Sequence, residues 1–272
     1  MKRLVWLLSA SLLASPLRAA DLMQIYREAQ ANDATFAAAR STLEAGRERT
    51  PQARAGLLPT LSLSANSFWN ENQLYVRGSG NTTPANFNSN GYTLTLSQPL
   101  FRWQNWVAYD QSKFQVAQAE ANFVQAGQDL ILRTAQAYFD VLYAIESLKA
   151  VQANKVSIEQ QLESAKRNFE VGTSTIVDAQ EAQARFDLAI AQEIAAESDL
   201  EVRRQALQAI IGKEAGPLAP FRKNAEIPQP QPADMKQWAA AAENDNINVQ
   251  LQMATLEIAS REVDRQRAGH YP

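Results

Sequence analysis

Residues 21–59 read DLMQIYREAQANDATFAAARSTLEAGRERTPQARAGLLP, and residues 234–272 read DMKQWAAAAENDNINVQLQMATLEIASREVDRQRAGHYP. Laid over each other at a constant offset of 213, they need no gap, and ten of the 39 positions are identical. The matches are Asp21/Asp234, Gln24/Gln237, Ala29/Ala242, Thr42-Leu43-Glu44/Thr255-Leu256-Glu257, Arg54-Ala55-Gly56/Arg267-Ala268-Gly269 and Pro59/Pro272. Self-similarity at a fixed period sets the architecture before any local reading does. The second copy reaches Pro272 where the first goes on into alternating residues, so the chain is expected to be truncated. A complete second copy would need on the order of 450 residues, which makes this roughly six-tenths of a protein.

The first residues read as a secretory leader. Lys2 and Arg3 form a basic head, residues 4–13 a short apolar run, and Ala19 and Ala20 each offer a small residue at which to cut. Arg18 lies close to either cut, and the choice between them stays open. The apolar run is shorter than the ~20 residues a membrane helix needs. Losing residues 1–20 removes Lys2, Arg3 and Arg18 and takes the formal charge from −3 to −6. That mild acidity argues against a nucleic-acid partner, which would call for clustered Lys and Arg. Zero cysteines exclude a disulfide framework and thiolate metal sites. The single histidine, His270, cannot build a His cluster or triad, so no cofactor or metal is expected.

Between Phe101 and Gly216 there is no proline, and the composition is rich in Ala, Gln, Glu, Leu and Arg, strong helix formers. This predicts a helix over residues 103–170, a tight turn at Gly172 and a second helix over residues 175–211. At about 1.5 Å per residue they measure roughly 100 Å and 55 Å. Lengths of that order belong to a coiled-coil hairpin, and the many alanines suit close helix–helix packing. A third helix over residues 33–56 would be roughly 36 Å long. Set end to end with the 55 Å helix, it would nearly match the long one. Pro51 should kink or interrupt it.

A different period separates these helices. Leu61, Leu63, Ala65 and Trp69 alternate with Thr60, Ser62, Ser64 and Asn66; Tyr92, Leu94 and Leu96 alternate with Thr93, Thr95 and Ser97. Period two predicts strands with one apolar and one polar face, placed at residues 60–75 and 91–99. Residues 78–91 (GSGNTTPANFNSNG) read as a polar loop between them. Apolar-out, polar-in strands with aromatics near a long loop match a transmembrane β-barrel, and a soluble sheet shares the alternation. The division is therefore a leader at 1–20, a first repeat at 21–216 with helices over 21–57, and a coiled-coil hairpin at 103–211. A Pro-rich linker at 217–233 leads to the start of a second repeat at 234–272.

Six segments in this order resemble the outer-membrane efflux proteins of TolC type: DLMQIYREAQAND, RAGLLPTLSLSA, SQPLF, TAQAYFDVLYAI, RNFEVGTSTIVDAQEAQARFD and QRAGHYP. The resemblance covers essentially the whole chain after the leader. It implies a mainly α fold with a β-hairpin, in which a long α-helical coiled-coil tunnel joins transmembrane β-barrel strands through an internal two-fold repeat. It also implies a homotrimer in which each chain gives four strands to one twelve-stranded barrel set in outer-membrane lipid. The partners implied are a periplasmic adaptor (membrane-fusion) protein and an inner-membrane pump or ABC exporter, for which the duct is a passive exit in drug efflux or type I secretion.

Two sites carry over residue by residue. Val171-Gly172-Thr173 matches the family's tip, where adaptor hairpins meet the channel, and Gly172 also suits a tight turn in its own right. Asp178 matches an aspartate that helps latch the tunnel's inner end closed, although an acid at a helix N-terminus is favoured by the dipole alone. Val177 stands where the family's best-known member has a hydroxyl residue, which puts part of the latch in doubt. Leu61, Leu63, Leu94 and Leu96 are the residues expected to face lipid. Tyr138-Phe139 reads as packing, and Asp140, Glu146 and Glu163 as solvated faces. The rival reading is a soluble periplasmic coiled-coil adaptor or scaffold. A secreted hydrolase is disfavoured because no nucleophile is set beside a base.

Overall fold

The computed structural model describes residues 19–75, 82–221 and 228–271. Most of the leader and part of the 78–91 segment and of the linker fall outside them. In chain order the elements are α1 (Leu22–Asn32), α2 (Ala34–Arg47), α3 (Arg49–Ala55), β1 (Thr60–Tyr75), β2 (Thr82–Ser97), α4 (Trp103–Glu170), α5 (Ile176–Ile211), α6 (Met235–Asp245) and α7 (Ile247–Ala268). They fall into two compact units, Met1–Ala38 with Ala126–Ala233 and Ala39–Gln125 with Asp234–Pro272.

The internal repeat is visible in where helices stop. Asp33 ends α1 and starts α2, its carboxylate accepting from the Phe36 amide at 2.6 Å. At the same register, 213 residues on, Asn246 ends α6 and starts α7, accepting from the Asn248 amide at 2.8 Å. Asp and Asn are favoured at such positions because the side-chain oxygen satisfies an orphan N–H of the first turn. Each copy also opens on an aspartate cap, Asp21 for α1 and Asp234 for α6. The copies diverge after Arg47. There the first breaks at Glu48, whereas α7 runs on without interruption to Ala268. Pro51 explains the position of the break: it offers no N–H to the carbonyl of Arg47, and its ring collides with that carbonyl. The interruption therefore sits three residues before the proline itself. The second copy has Asp264 at that register.

In the first unit, α5 lies along α4 as an antiparallel coiled coil. The inward residues of α4 are Leu130, Thr134, Ala137, Val141, Ala144, Leu148, Val151, Lys155, Ile158 and Leu162, all buried or half-buried at alternating steps of four and three. Those of α5 are Ala179, Ala182, Phe186, Ala189, Glu193, Ala196 and Leu200 at the same spacing, with Leu207 a further seven residues on. This is the 3.5-residue period of a heptad seam. Lys155 and Glu193 occupy seam positions and form an ion pair across it. The hydrogen bond raises the Lys155 ammonium above its ordinary range and lowers the Glu193 carboxyl below its own. α5 ends at Gly212, whose φ of +73° closes the helix against Asn32 at the α1–α2 junction. Beside that junction Arg133 grips the buried Asp33 with two bonds of 3.1 and 3.2 Å. Burial pushes the Asp33 carboxyl up, but the bonds from Arg133 and from the Phe36 and Thr35 amides outweigh it and hold it below its ordinary value. Tyr138 is buried with its hydroxyl on the Ala219 carbonyl, and Phe139 stacks on Phe221.

In the second unit, the first turns of α4 touch helices from both copies. Gln111 donates to the Ile258 carbonyl and to Glu262 of α7, and Gln118 donates to Thr255. Bonds from Arg265, Gln266 and Gln111 hold the Glu262 carboxyl at about 2. On the first copy's side Arg47 pairs with Glu120 at 3.1 Å, and Asn105 donates to the Gly56 carbonyl. Gly46 makes the closest approach, since a Cβ there would lie 2.5 Å from the Ala119 Cβ.

β1 and β2 pair antiparallel with Thr60 opposite Ser97 and Tyr75 opposite Thr82. β2 begins well before the residue 91 expected from alternation. Pro84, Gly91 and a run of asparagines conceal it in the sequence.

Two outcomes test this packing. Gly46→Val should cost about 1–3 kcal/mol of stability through overpacking, read as a lower denaturant midpoint. Glu193→Leu alone should lower that midpoint by stranding the Lys155 charge, and Lys155→Leu with Glu193→Leu should recover it.

Candidate functional site

The hairpin tip is built by the chain's need to reverse between two helices. α4 ends as the Asn168 carbonyl accepts from the Thr173 amide at 2.8 Å, the Ser174 amide at 3.3 Å and the Thr173 hydroxyl at 3.0 Å. Gly172 takes φ +80°, a left-handed conformation that side chains with a Cβ resist. A Cβ built there would meet nothing within 4 Å, so backbone conformation and not crowding demands glycine.

Asp178 lies in the first turn of α5, and its surroundings are local. Its Oδ2 accepts from the Thr175 amide at 2.9 Å and the Thr175 hydroxyl at 2.8 Å, and its own amide donates back to Thr175 Oγ1 at 3.3 Å. This reciprocal capping box satisfies two orphan donors of the first turn. The bonds from Thr175 hold the exposed carboxyl below its ordinary value. Both bonds fall on one oxygen; among the described residues Oδ1 accepts none. The motif Thr175-Ile176-Val177-Asp178 was legible as S/T-x-x-D/E, a stronger explanation of the aspartate than the dipole. Sequence reading also missed that Val171, Ile176 and Val177 are all exposed beside the turn. Behind them Ile158, Gln161, Asp178, Glu181, Ala182 and Arg185 line a shallow groove of about 170 Å³.

The strand hairpin brings the four leucines together. Leu61 pairs with Leu96 and Leu63 with Leu94 on one face, and each is exposed by 67% or more. Ala65, Tyr92 and Trp69 continue that face, while Thr60, Ser62, Ser64, Thr93, Thr95 and Ser97 line the other. The alternation is imperfect farther along, where Phe68 and Phe87 fall on the polar face. Withdrawing a leucine from water is worth roughly 2 kcal/mol, so the four amount to about 8 kcal/mol. That is the scale of a whole domain's net stability, roughly 5–15 kcal/mol, so this face calls for an apolar covering. No described helix is long and apolar enough to cross a membrane, which says nothing of strands. Among the described residues no cluster of acidic or histidine side chains could hold a metal.

The sequence profile of the outer membrane efflux proteins matches residues 25–213. Outer membrane protein TolC of Vibrio cholerae is 31% identical over 275 residues, covering 100% of this chain and 61% of that protein. Alkaline protease secretion protein AprF of Pseudomonas aeruginosa is 32% identical over 280 residues, covering 100% of this chain and 58% of that protein. The chain thus spans about three-fifths of the length of these relatives. The CmeC outer membrane channel of Campylobacter jejuni has the same fold, with a TM-score of 0.70 and 18% identity over 90% of this chain and 52% of that one.

The capping box gives a pH test. A lowered carboxyl stabilises the folded tip above the ordinary carboxylate range, and this contribution is lost as pH falls through the lowered value. Amide exchange at residues 175–178, corrected for intrinsic rates, should therefore quicken severalfold at acidic pH. Thr175→Ala should show that faster exchange already at neutral pH.

Proposed function

The chain belongs to the outer membrane efflux protein family, and on that premise we propose that it is the larger part of a passive exit duct through the bacterial outer membrane. The hairpin of β1 and β2 sets its leucine face in lipid as part of a barrel closed by the second repeat and by two further copies of the chain. Closure is required, since a strand edge left in lipid would carry unsatisfied N–H and C=O groups. The α4–α5 coiled coil forms periplasmic tunnel wall. Its tip, Val171-Gly172-Thr173, receives a periplasmic adaptor that links the duct to an inner-membrane pump or ABC exporter. The carrying observation is that one repeat joins an exposed, in-register leucine face to a 68-residue helix, far longer than a compact domain needs.

Gating follows from Asp178. Its Oδ2 is occupied by Thr175, which fixes the carboxylate's direction and leaves Oδ1 to accept a bond from a neighbouring coil in the closed state. The exposed Val171, Ile176 and Val177 give an adaptor tip apolar purchase around a glycine that lets backbones approach.

The experiment expresses the gene's complete product in a Gram-negative strain that lacks its own duct. The protein is expected in the outer-membrane fraction, with antibiotic resistance or protease secretion restored when the cognate pump and adaptor are present. Recovery in the soluble periplasmic fraction would overturn the duct and favour a coiled-coil adaptor. Asp178→Ala should raise single-channel conductance in planar bilayers severalfold, and unchanged conductance would remove Asp178 from the gate.

A further inference from the structure

Ala20 is part of the fold, although it stands at the edge of the leader. Its amide donates to the Pro217 carbonyl at 2.8 Å, and its carbonyl accepts from the Ala219 amide at 2.9 Å. The two bonds make a parallel bridge between Ala20 and Leu218, and Ala20 is only 8% exposed, whereas Ala19 is exposed. One residue on, Asp21 caps α1 by accepting from the Gln24 amide at 2.7 Å. The segment that Ala20 grips is also held by α4, through Tyr138 on the Ala219 carbonyl and Phe139 against Phe221. Burial and the nearby Asp21 charge both push the Tyr138 hydroxyl up, which places Asp21 beside the same cluster.

We propose that the leader is cut between Ala19 and Ala20, and that the new amine of Ala20 ties the start of the first repeat to Pro217 in the segment leading to the second. The proposal rests on the export reading. Leader recognition asks for small residues at the last and third-last positions before the cut. A cut after Ala20 would set the charged Arg18 at the third-last position, whereas a cut after Ala19 sets Leu17 there, larger than the preference but uncharged. A cut after Ala20 would also remove both bridge bonds, taking from the Ala219 N–H and the Pro217 carbonyl the partner they have in the fold.

The chemistry is hydrolysis. Water adds to the Ala19 carbonyl carbon, the bond to the Ala20 nitrogen breaks, and the leader departs with the Ala19 carboxylate. The Ala20 nitrogen takes up both protons of the water, one as the bond breaks and one released by the new carboxyl group. An α-amine ionises near pH 7.7–8.0, so at neutral pH the group facing Pro217 is mostly an ammonium. A charged donor makes a shorter and stronger bond than the amide it replaces. Processing therefore tightens a contact that the uncut chain already makes.

The test is N-terminal sequencing and intact mass of the complete gene product purified from a secreting Gram-negative host. Ala20 as first residue is the expected result. A chain beginning at Asp21, or at any other residue after a cut, would overturn the proposed bond while leaving export intact. Retention of Met1 would overturn export itself, and the duct with it. Deletion of Ala20, which leaves Asp21 behind the cut, tests the tie separately. Chymotrypsin should then cleave at Phe221 severalfold faster than in the parent, and an unchanged rate would show that the amine does not hold this segment.

Discussion

Two helices can run side by side over the whole of α5 only if each offers the other a small or apolar side chain every three and a half residues. That constraint governs the first unit. Alanine at Ala137, Ala144, Ala179, Ala182, Ala189 and Ala196 lets the backbones approach, and the larger Leu130, Val141, Leu162, Phe186, Leu200 and Leu207 fill the intervals. A seam made of alanines is permissive about register, because one alanine resembles the next. The Lys155–Glu193 pair removes that freedom, since any slip would strand a charge between helices. The tip geometry at Gly172 and the cap at Asp178 inherit their positions from this register.

Much of this was legible. The α4 boundaries follow from the absence of proline and from Gly172, and the internal repeat follows from ten identities at a single offset. The structure adds that Asp33 and Asn246, which are not identical, do the same work of ending one helix and starting the next. Both can accept a bond from a first-turn amide, a property that counting identities overlooks.

What stayed hidden did so for physical reasons. The early start of β2 is concealed because Pro84, Gly91 and asparagines weaken the alternation without preventing backbone pairing in a hairpin. The break in the third helix falls at Glu48, because a proline acts on the carbonyl four residues before it. Lys155 and Glu193 look like surface residues in a charged helix, and their place in the seam appears only when both helices are phased together. Asp178 was singled out for its position, while its partner Thr175, three residues earlier, was passed over. The exposure of Val171, Ile176 and Val177 at the tip has no signal in the sequence, since an apolar residue is read as core until its neighbours are known.

The proline at position 51 also has a mechanical meaning. A helix resists bending through its continuous ladder of hydrogen bonds, and a missing rung is where it yields. The first copy has such a joint at Glu48, while the second carries the same length of chain as the unbroken rod of α7. Duplication has thus given one polypeptide two arms of equal length and unequal compliance. Under the same load, the first arm flexes at a defined point and the second transmits the force.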